Sequence, residues 1–529
     1  MSPWGRKKRM QDKNKKVSAK ETGHPPNTEW PVLETDVSDL KPRLNWFKKQ
    51  FSNCSDIIFR EFTLPSGQSC ALIYFNGMID QNSLQHFILQ DLLTVASETE
   101  DIYKTLFERK SLSVSNYTIT VDLNECLTHI LSSCASLIID GDRRMINFEV
   151  ASYATRSIEE TPNESIIRGS RESFIEDLPT NLTILRRHLK TPALKTESIV
   201  VGRKTQTPVV ISYIEGVCKP ELIAELKRRL SYIQIDGIVN SYYIEEFIKD
   251  NPYSPFPQVE YTERPDTLIA SLQEGRVAIL LNGTPVCLLA PVTLTMLMQA
   301  PDDYSMWFIA ASWIRITRYI FLLISLLLPS LYIAITTFHP QMIPYPLLIT
   351  IASSREIVPF PVIYEAFIME IAFEALREAS IRIPKSIGQA VSIIGALIIG
   401  TAAVQAGIIS AAMVIIVSLT GIASFIMPHY DLGIAIRILR FPVMILASMF
   451  GLYGIACGLI FLYIHLVNLK SFGVPYLSPF TPLVKDDLVD TVIRLPWTMM
   501  RTRSPLTSNN RHRVARNARG WVRPKGENE

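Results

Sequence analysis

Between Ser386 and Pro428 the chain runs for 43 consecutive residues without a charge. The apolar core of a bilayer is about 30 Å thick and takes ~20 residues of helix to cross. This run is therefore long enough for two crossings, read as 386–406 and 407–428 with a turn near Gly407. Two further stretches have the same character. Tyr319 to Phe338 gives 20 uncharged residues directly after Arg315 and Arg318, and Phe441 to Leu469 gives 29. Across the whole chain only 19% of residues are charged, below the ~25% of a soluble domain. That deficit lies almost entirely between 319 and 469, which excludes a purely soluble enzyme or a secreted domain.

The segment between the first two uncharged stretches is different. A helix over about 360–382 carries Glu365, Glu370, Glu374, Arg377 and Glu378. At 100° per residue Glu370, Glu374, Arg377 and Glu378 share one face, and charges at that density are costly in lipid. One reading is an amphipathic helix lying on the membrane or packed on the soluble part. The other is a helix whose acidic face lines a water-filled cation path. Gln389 and Gln405, the amides inside the long uncharged run, are further candidates for a pore lining or an interhelical hydrogen bond. Gly395, Gly400, Gly407, Gly451, Gly454 and Gly458 are placed to let helices approach closely, the last two forming a GxxxG pair.

Basic residues fix the expected orientation. Arg315 and Arg318 hold the soluble part inside, and residues 494–529, with nine Lys/Arg against two acids, favour the same side. Four spans with both ends cytosolic satisfy this, although they leave Arg437 and Arg440 outside. A fifth crossing between 343 and 375 brings that pair in but expels the tail.

Residues 1–45 read as a disordered basic arm, with eight Lys/Arg among the first 20 positions. Such an arm can touch anionic lipid, and nothing in it argues for nucleic acid. Two α/β lobes follow, over 46–155 and 156–300, then the membrane region 301–470 and a basic tail 471–529. Hairpins are expected at Asp140-Gly141 and Asn282-Gly283, a strand at Val209–Tyr213, and helices at Pro220–Leu230 and Tyr243–Lys249. The fold class is thus a multidomain membrane protein, a soluble α/β N-terminal head with an α-helical transmembrane bundle.

Seven scattered cysteines without a Cys-x-x-Cys pair suit a reducing compartment. Cys126, His129 and Cys134 lack a fourth ligand at zinc spacing, so they read as core and no metal or cofactor is expected. No phosphate loop, dinucleotide fingerprint, nucleophile elbow or zinc-protease motif is present. The chain does not read as an enzyme.

The strings Arg156-Ser-Ile-Glu159-Glu160, Glu164, Ile167-Arg168-Gly169-Ser-Arg171-Glu172-Ser-Phe174 and Asn181 stand out. So do Thr262-Glu-Arg264-Pro265-Asp266, Glu274-Gly275-Arg276, Ser354-Arg355-Glu356, Gly388-Gln-Ala-Val-Ser392 and Ser471-Phe-Gly-Val-Pro-Tyr476. From about residue 60 to 485 these motifs resemble the GerA family, the A subunits of bacterial spore germinant receptors. Mild departures occur at Thr161-Pro162, Asn282-Gly283 and Asp302-Asp-Tyr-Ser305. The resemblance implies a multi-pass protein of the spore inner membrane, with its head and tail in the spore core. It implies work beside a transporter-like B subunit and a lipoprotein C subunit. It further implies a homo-oligomer forming a nutrient-gated ion conduit, in which rings of Glu370, Glu374 and Glu378 would favour cations. A non-conducting scaffold, similar to the sporulation protein SpoVAF, is the alternative. The charged motif residues would serve assembly or coupling.

Overall fold

The computed structural model describes residues 38–98, 103–108, 116–152, 164, 168–382, 400–485 and 487–513. Residues 1–37, Arg156, Glu159, Glu160, Gln389, Gly395, the rest of 383–399 and residues 514–529 lie outside the described residues. Contacts divide the chain into two units, residues 1–52 with 57–153, and residues 53–56 with 154–529.

The first unit is built on helix α1 (Leu40–Gln50), strands β1 (Ile57–Thr63) and β2 (Ser69–Phe75), helix α2 (Gln90–Glu98), strand β3 (Tyr117–Thr120), helix α3 (Leu123–Leu131) and strands β4 (Ala135–Ile139) and β5 (Met145–Phe148). Its antiparallel sheet has the order β1-β2-β4-β5-β3. β2, β4 and β5 are the apolar central strands, and every residue of β4 and β5 is buried. A strand covered on both faces reads as a largely apolar run; the polar residues inside β4 and β5, Ser136 and Asn147, bond to each other at 2.6 Å. The turn between β4 and β5 holds Gly141 at φ +86°, a left-handed conformation that suits glycine. Beneath it Cys126 donates its thiol to Asn147 Oδ1 at 3.3 Å, and Asn147 Nδ2 donates to Thr120 Oγ1 at 3.0 Å.

The second unit repeats that plan. Helix α4 (Leu178–His188) leads into β6 (Leu194–Val201) and β7 (Thr207–Ile214). Helices α5 (Pro220–Ser231) and α6 (Ser241–Ile248) precede β8 (Glu260–Thr262). Helix α7 (Pro265–Gln273) then leads into β9 (Val277–Leu281) and β10 (Cys287–Ala290). The sheet order β6-β7-β9-β10-β8 is the first order shifted by five, again antiparallel throughout. Helices also fall at the same points between strands, so one supersecondary arrangement occurs twice. Local signals agree with it. α5 starts on Pro220 with Glu221 in its first turn, ends on Arg228 and Arg229, and buries Leu222, Leu226 and Leu230 at intervals of four. Asp177 caps α4 by accepting from Thr180 N at 3.0 Å. Inside this unit Arg186 makes a buried fork onto Asp56, at 2.6 and 2.9 Å.

Four further helices complete the second unit among those used below: α8 (Phe308–Phe338), α9 (Tyr345–Arg355), α10 (Val362–Arg382) and α11 (Ala411–Phe425). They are followed by the long element α12 (Tyr430–Asn468). α8, and α12 taken end to end, are long and apolar enough to cross a membrane. α12 is not one straight rod. Gly451 stands at φ 60°, ψ −138°, and the chain reverses there. A Cβ on Gly458 would lie 3.6 Å from Val443, and one on Gly454 only 2.0 Å from the Leu446 carbonyl oxygen. In a straight helix at 1.5 Å per residue those partners would be roughly 12–22 Å apart. The stretch Phe441–Leu469, expected as a single span, is therefore divided into two antiparallel arms, and the GxxxG pair packs one arm on the other. Both ends of α12 return to the second sheet's lobe: His429 lies 3.7 Å from Glu260 and His465 2.8 Å from Ser254.

Candidate functional site

Two charged regions stand out in the second unit, one where the lobe meets the helix ends and one within the helices. Arg264 organises the first. It sits at the corner between β8 and α7, is 2% exposed, and forks onto Asp266 at 3.0 and 2.7 Å. The same guanidinium donates to the carbonyls of Glu164 at 3.2 Å and Ser170 at 2.8 Å. Thr262 Oγ1 donates to Glu164 Oε2 at 2.9 Å, and Phe174 N donates to the Glu263 carbonyl at 2.8 Å. Asn181 holds both sides of Ile175, accepting from its N–H at 2.9 Å and donating to its carbonyl at 2.6 Å. Glu172 reaches Arg187 at 3.1 Å and His188 at 2.9 Å. The described part of the charged motif is thus tied to the second lobe. Arg168, Gly169 and Arg171 lie on its exposed side. Burial, with Glu260 and Glu263 adding to it, pushes the Glu164 carboxyl up to about 7 against the Thr262 hydroxyl and Arg264.

Next to this clamp, Arg276 pairs with Glu260 at 2.6 Å and donates to the Pro291 carbonyl at 2.9 Å. Gly275 has φ +85°, and a Cβ there would come within 2.9 Å of the Thr507 carbonyl oxygen. Glycine lets the C-terminal segment lie close against the lobe. Burial holds His429, across from Glu260, below the usual imidazole range. At the base of α8 a second cluster closes the junction. Asp303 and Arg315 are fully buried, with Arg315 on Asp303 at 2.8 Å and on Asp490 at 2.7 Å, and Arg318 on Asp303 at 2.7 Å. Arg494 donates to the carbonyls of Asp303 and Met306 at 2.6 and 2.9 Å. Tyr304 donates to Asp490 at 2.7 Å. Lobe, helix ends and C-terminal segment border an open cavity of about 750 Å³ lined by Glu164, Glu260, Arg318, His429, Tyr304 and Trp497 among others.

The second region centres on α10. Glu365 accepts from Ser410 N at 3.0 Å and Ser410 Oγ at 2.8 Å, and meets Arg355 at 3.3 Å. One turn on, Glu370 pairs with Arg440, both 1% exposed at the side chain, and Arg440 donates to the carbonyl and hydroxyl of Ser325 at 2.8 and 3.1 Å. Glu374 bridges Arg377 and Arg437, each at 3.0 Å, and Arg377 also donates to Ser424 Oγ at 2.8 Å. Glu378 meets Arg382 at 2.6 Å, on the surface. α10 packs through Val362, Ala366 and Met369 on Ile333, Met413, Val417 and Met444. It is thus neither a lone surface helix nor one resting on the lobe. Its candidate lining residues separate: Glu370 turns into the bundle of its own chain, Glu374 is half-buried, and Glu378 faces out. Gln405 is exposed on a short helix over 400–405, and Glu356 is exposed beyond α9. A Cβ on Gly407 would meet Ile357 at 2.9 Å, whereas Gly400 has ordinary contact with Val414 at 3.7 Å.

Arg437 and Arg440 are the residues that sequence reasoning treated only as an orientation conflict. Their spacing of three, set against the spacing of four between Glu370 and Glu374, was the available signal. Asp303, Asp490 and Ser325 carried none.

A sequence profile described as "Bacillus/Clostridium GerA spore germination protein" matches residues 45–506. An uncharacterized membrane protein of Bacillus subtilis, YfkQ, is 46% identical over 469 residues, covering 89% of this chain and 91% of its own. Spore germination protein KA of the same organism is 40% identical, over 85% of this chain and 83% of its own. Spore germination protein A1 is 39% identical, over 83% and 90%. The crystal structure of the N-terminal domain of the A subunit of the Bacillus megaterium spore germinant receptor GerK3 is 31% identical. It covers 50% of this chain and 98% of that one, with a TM-score of 0.40.

Proposed function

The chain belongs to the GerA family of spore germination proteins, and on that premise we propose that it is the A-type subunit of a nutrient-responsive germinant receptor in the spore inner membrane. It crosses the bilayer several times, with lobes and C-terminal segment on one side. It works with a transporter-like B subunit and a lipoprotein C subunit. Several copies assemble around a gated cation path. The observation that carries this reading is the α10 ladder: Glu365, Glu370 and Arg377 buried and Glu374 half-buried along a helix packed among apolar ones. Ionisable groups there are costly and are retained where they serve transport or switching. Glu370 with Arg440 acts as a lock between α10 and α12. Glu374 and Glu378, with Gln405 and Gln389, are the groups that repetition around an axis would turn into rings. Opening then requires that nutrient binding in the complex favour the arrangement with the ladder displaced.

The reading is tested by cation efflux from liposomes holding the purified chain, alone and with its B and C partners and candidate nutrients. Leak that rises with oligomer content and falls in Glu374→Gln/Glu378→Gln supports it. A chain that oligomerises with its partners yet never conducts sinks it. That outcome would favour a non-conducting scaffold, a reading to which one observation points: Glu365, Glu370, Glu374 and Glu378 each have a partner inside their own chain.

A further inference from the structure

Four aromatic side chains crowd the outside of one short stretch of the second lobe. Tyr242, Tyr243 and Phe247 on α6 are 55, 46 and 53% exposed, and Tyr253 just beyond the helix is 96% exposed. The inner face of α6 is ordinary, with Ser241, Ile244, Glu245 and Ile248 buried. Tyr243 and Phe247, four residues apart, share one outer face, and Lys249 Nζ lies 5.3 Å over the Tyr242 ring. A single exposed apolar side chain needs no explanation, but a cluster within 12 residues implies something that covers it.

The attachments of this stretch indicate the cover. Ser254, next to Tyr253, is hydrogen-bonded to His465 in the last turn of α12 at 2.8 Å. Asp250 accepts from Phe472 N at 2.6 Å, and Ser471 Oγ donates to the Gln258 carbonyl at 2.6 Å. Residues 250–258 are thereby fixed to the point where α12 ends. Immediately before that point the outer side of α12 is apolar and open, with Ile460, Phe461, Tyr463 and Ile464 all at least half exposed. His465 stands one turn past Phe461, so Tyr253, beside Ser254, brings the cluster to this surface at the helix end. Tyrosine, an apolar ring with a hydroxyl at its tip, suits the head-group layer, where one side is dry and the other wet.

We propose that the outer face of Tyr242–Tyr253 is a lipid-contacting surface that seats the second lobe in the head-group layer of the bilayer. This rests on the membrane reading of α12. The occupant is lipid, because the cluster extends the surface that α12 itself turns to lipid. The cluster thereby fixes the height of the lobe over the helix ends.

The test uses the full chain in nanodiscs of phosphatidylglycerol and phosphatidylethanolamine, with p-benzoylphenylalanine replacing one residue at a time. Tyr253 and Tyr243 are the probe positions, Phe461 marks the outer side of α12, and Val200, exposed on β6, is the control outside the aromatic cluster. After illumination, lipid adducts are read by intact mass. Adduct yield at Tyr253 and Tyr243 within a few-fold of Phe461, and many-fold above Val200, is the expected result. Lipid adducts at Phe461 with yields at Tyr253 and Tyr243 no higher than at Val200 would overturn the proposal and leave the membrane reading intact. Chain-to-chain adducts at Tyr253 and Tyr243 in place of lipid would also overturn it, in favour of a second copy as the cover. Absence of lipid adducts at Phe461 would remove the membrane reading, and the proposal with it.

Discussion

Glu370 and Arg440 are each 1% exposed at the side chain, and neither has water to fall back on if its partner is lost. Removing one member of such a pair costs about 3–5 kcal/mol, while replacing both by neutral groups costs far less. Arg440→Gln alone should therefore lower the unfolding temperature in detergent more than Glu370→Gln/Arg440→Gln does. Equal losses would mean that the pair is not coupled. Glu164 gives a prediction in pH. Its folded value of about 7 lies above the usual 4.5, so the folded chain retains a proton that the unfolded chain has lost between those values. Stability from this group is complete below about 4.5 and falls as pH rises to about 7, by on the order of 3 kcal/mol. Glu164→Gln should flatten that part of the stability profile, measured by thermal unfolding at pH 5 and pH 8. The charged motif around Glu164 was visible in the sequence as an unusual string of mixed charges. Its attachment to Arg264, a hundred residues away, was not, because no local pattern records which carbonyls a guanidinium will reach.

At the scale of elements, the reversal at Gly451 decides how α12 packs. A side chain there would face a left-handed backbone and lie within 2.9 Å of His339 and 3.1 Å of Phe338. Gly451→Ala is expected to destabilise by about 1–3 kcal/mol from backbone strain alone. Gly454→Ala should be worse, since its methyl would run into the Leu446 backbone at 2.0 Å, a group that cannot swing aside. Gly400→Ala is the control, with only van der Waals contact at 3.7 Å. The three are compared by the folded fraction eluting from size exclusion. A mild Gly454→Ala would mean that the two arms are not closely packed in solution. The hairpins at Gly141 and Gly283 were legible in the sequence because the turn needs φ > 0 and supplies glycine next to Asp or Asn. The strand at Val209–Tyr213 and the helices beginning at Pro220 and near Tyr243 were legible by their periodicity, and the structure contains them. The turn inside α12 was hidden, because an uninterrupted apolar stretch serves equally for one tilted helix or two short arms.

For the molecule as a whole, the C-terminal segment fastens the second lobe to the base of α8. Asp490 and Arg494 reach Arg315 and Asp303, and Thr507 and Arg513 reach Glu274. Ending the chain after Lys485 would strip Arg315 of the Asp490 carboxylate and of the Asp490 and Thr491 carbonyls, and should cost several kcal/mol by the same argument as for Arg440. Ending it after Arg513 keeps all these contacts and should lower the unfolding temperature far less. If both truncations behave alike, the segment is not a fastener. The sequence by itself determined the broad division into soluble and apolar parts, the twin Gly-turn hairpins and the family. These follow from composition, short-range backbone geometry and ungapped motifs, all written locally along the chain. Only the tertiary structure decided that one strand order is used twice, that α12 folds back, and that Glu370 and Glu374 of α10 are matched by arginines on α12. A charge costs the same to bury wherever it sits in the sequence, but what offsets that cost is the neighbour the fold brings to it, and that neighbour is some 60 to 70 residues away.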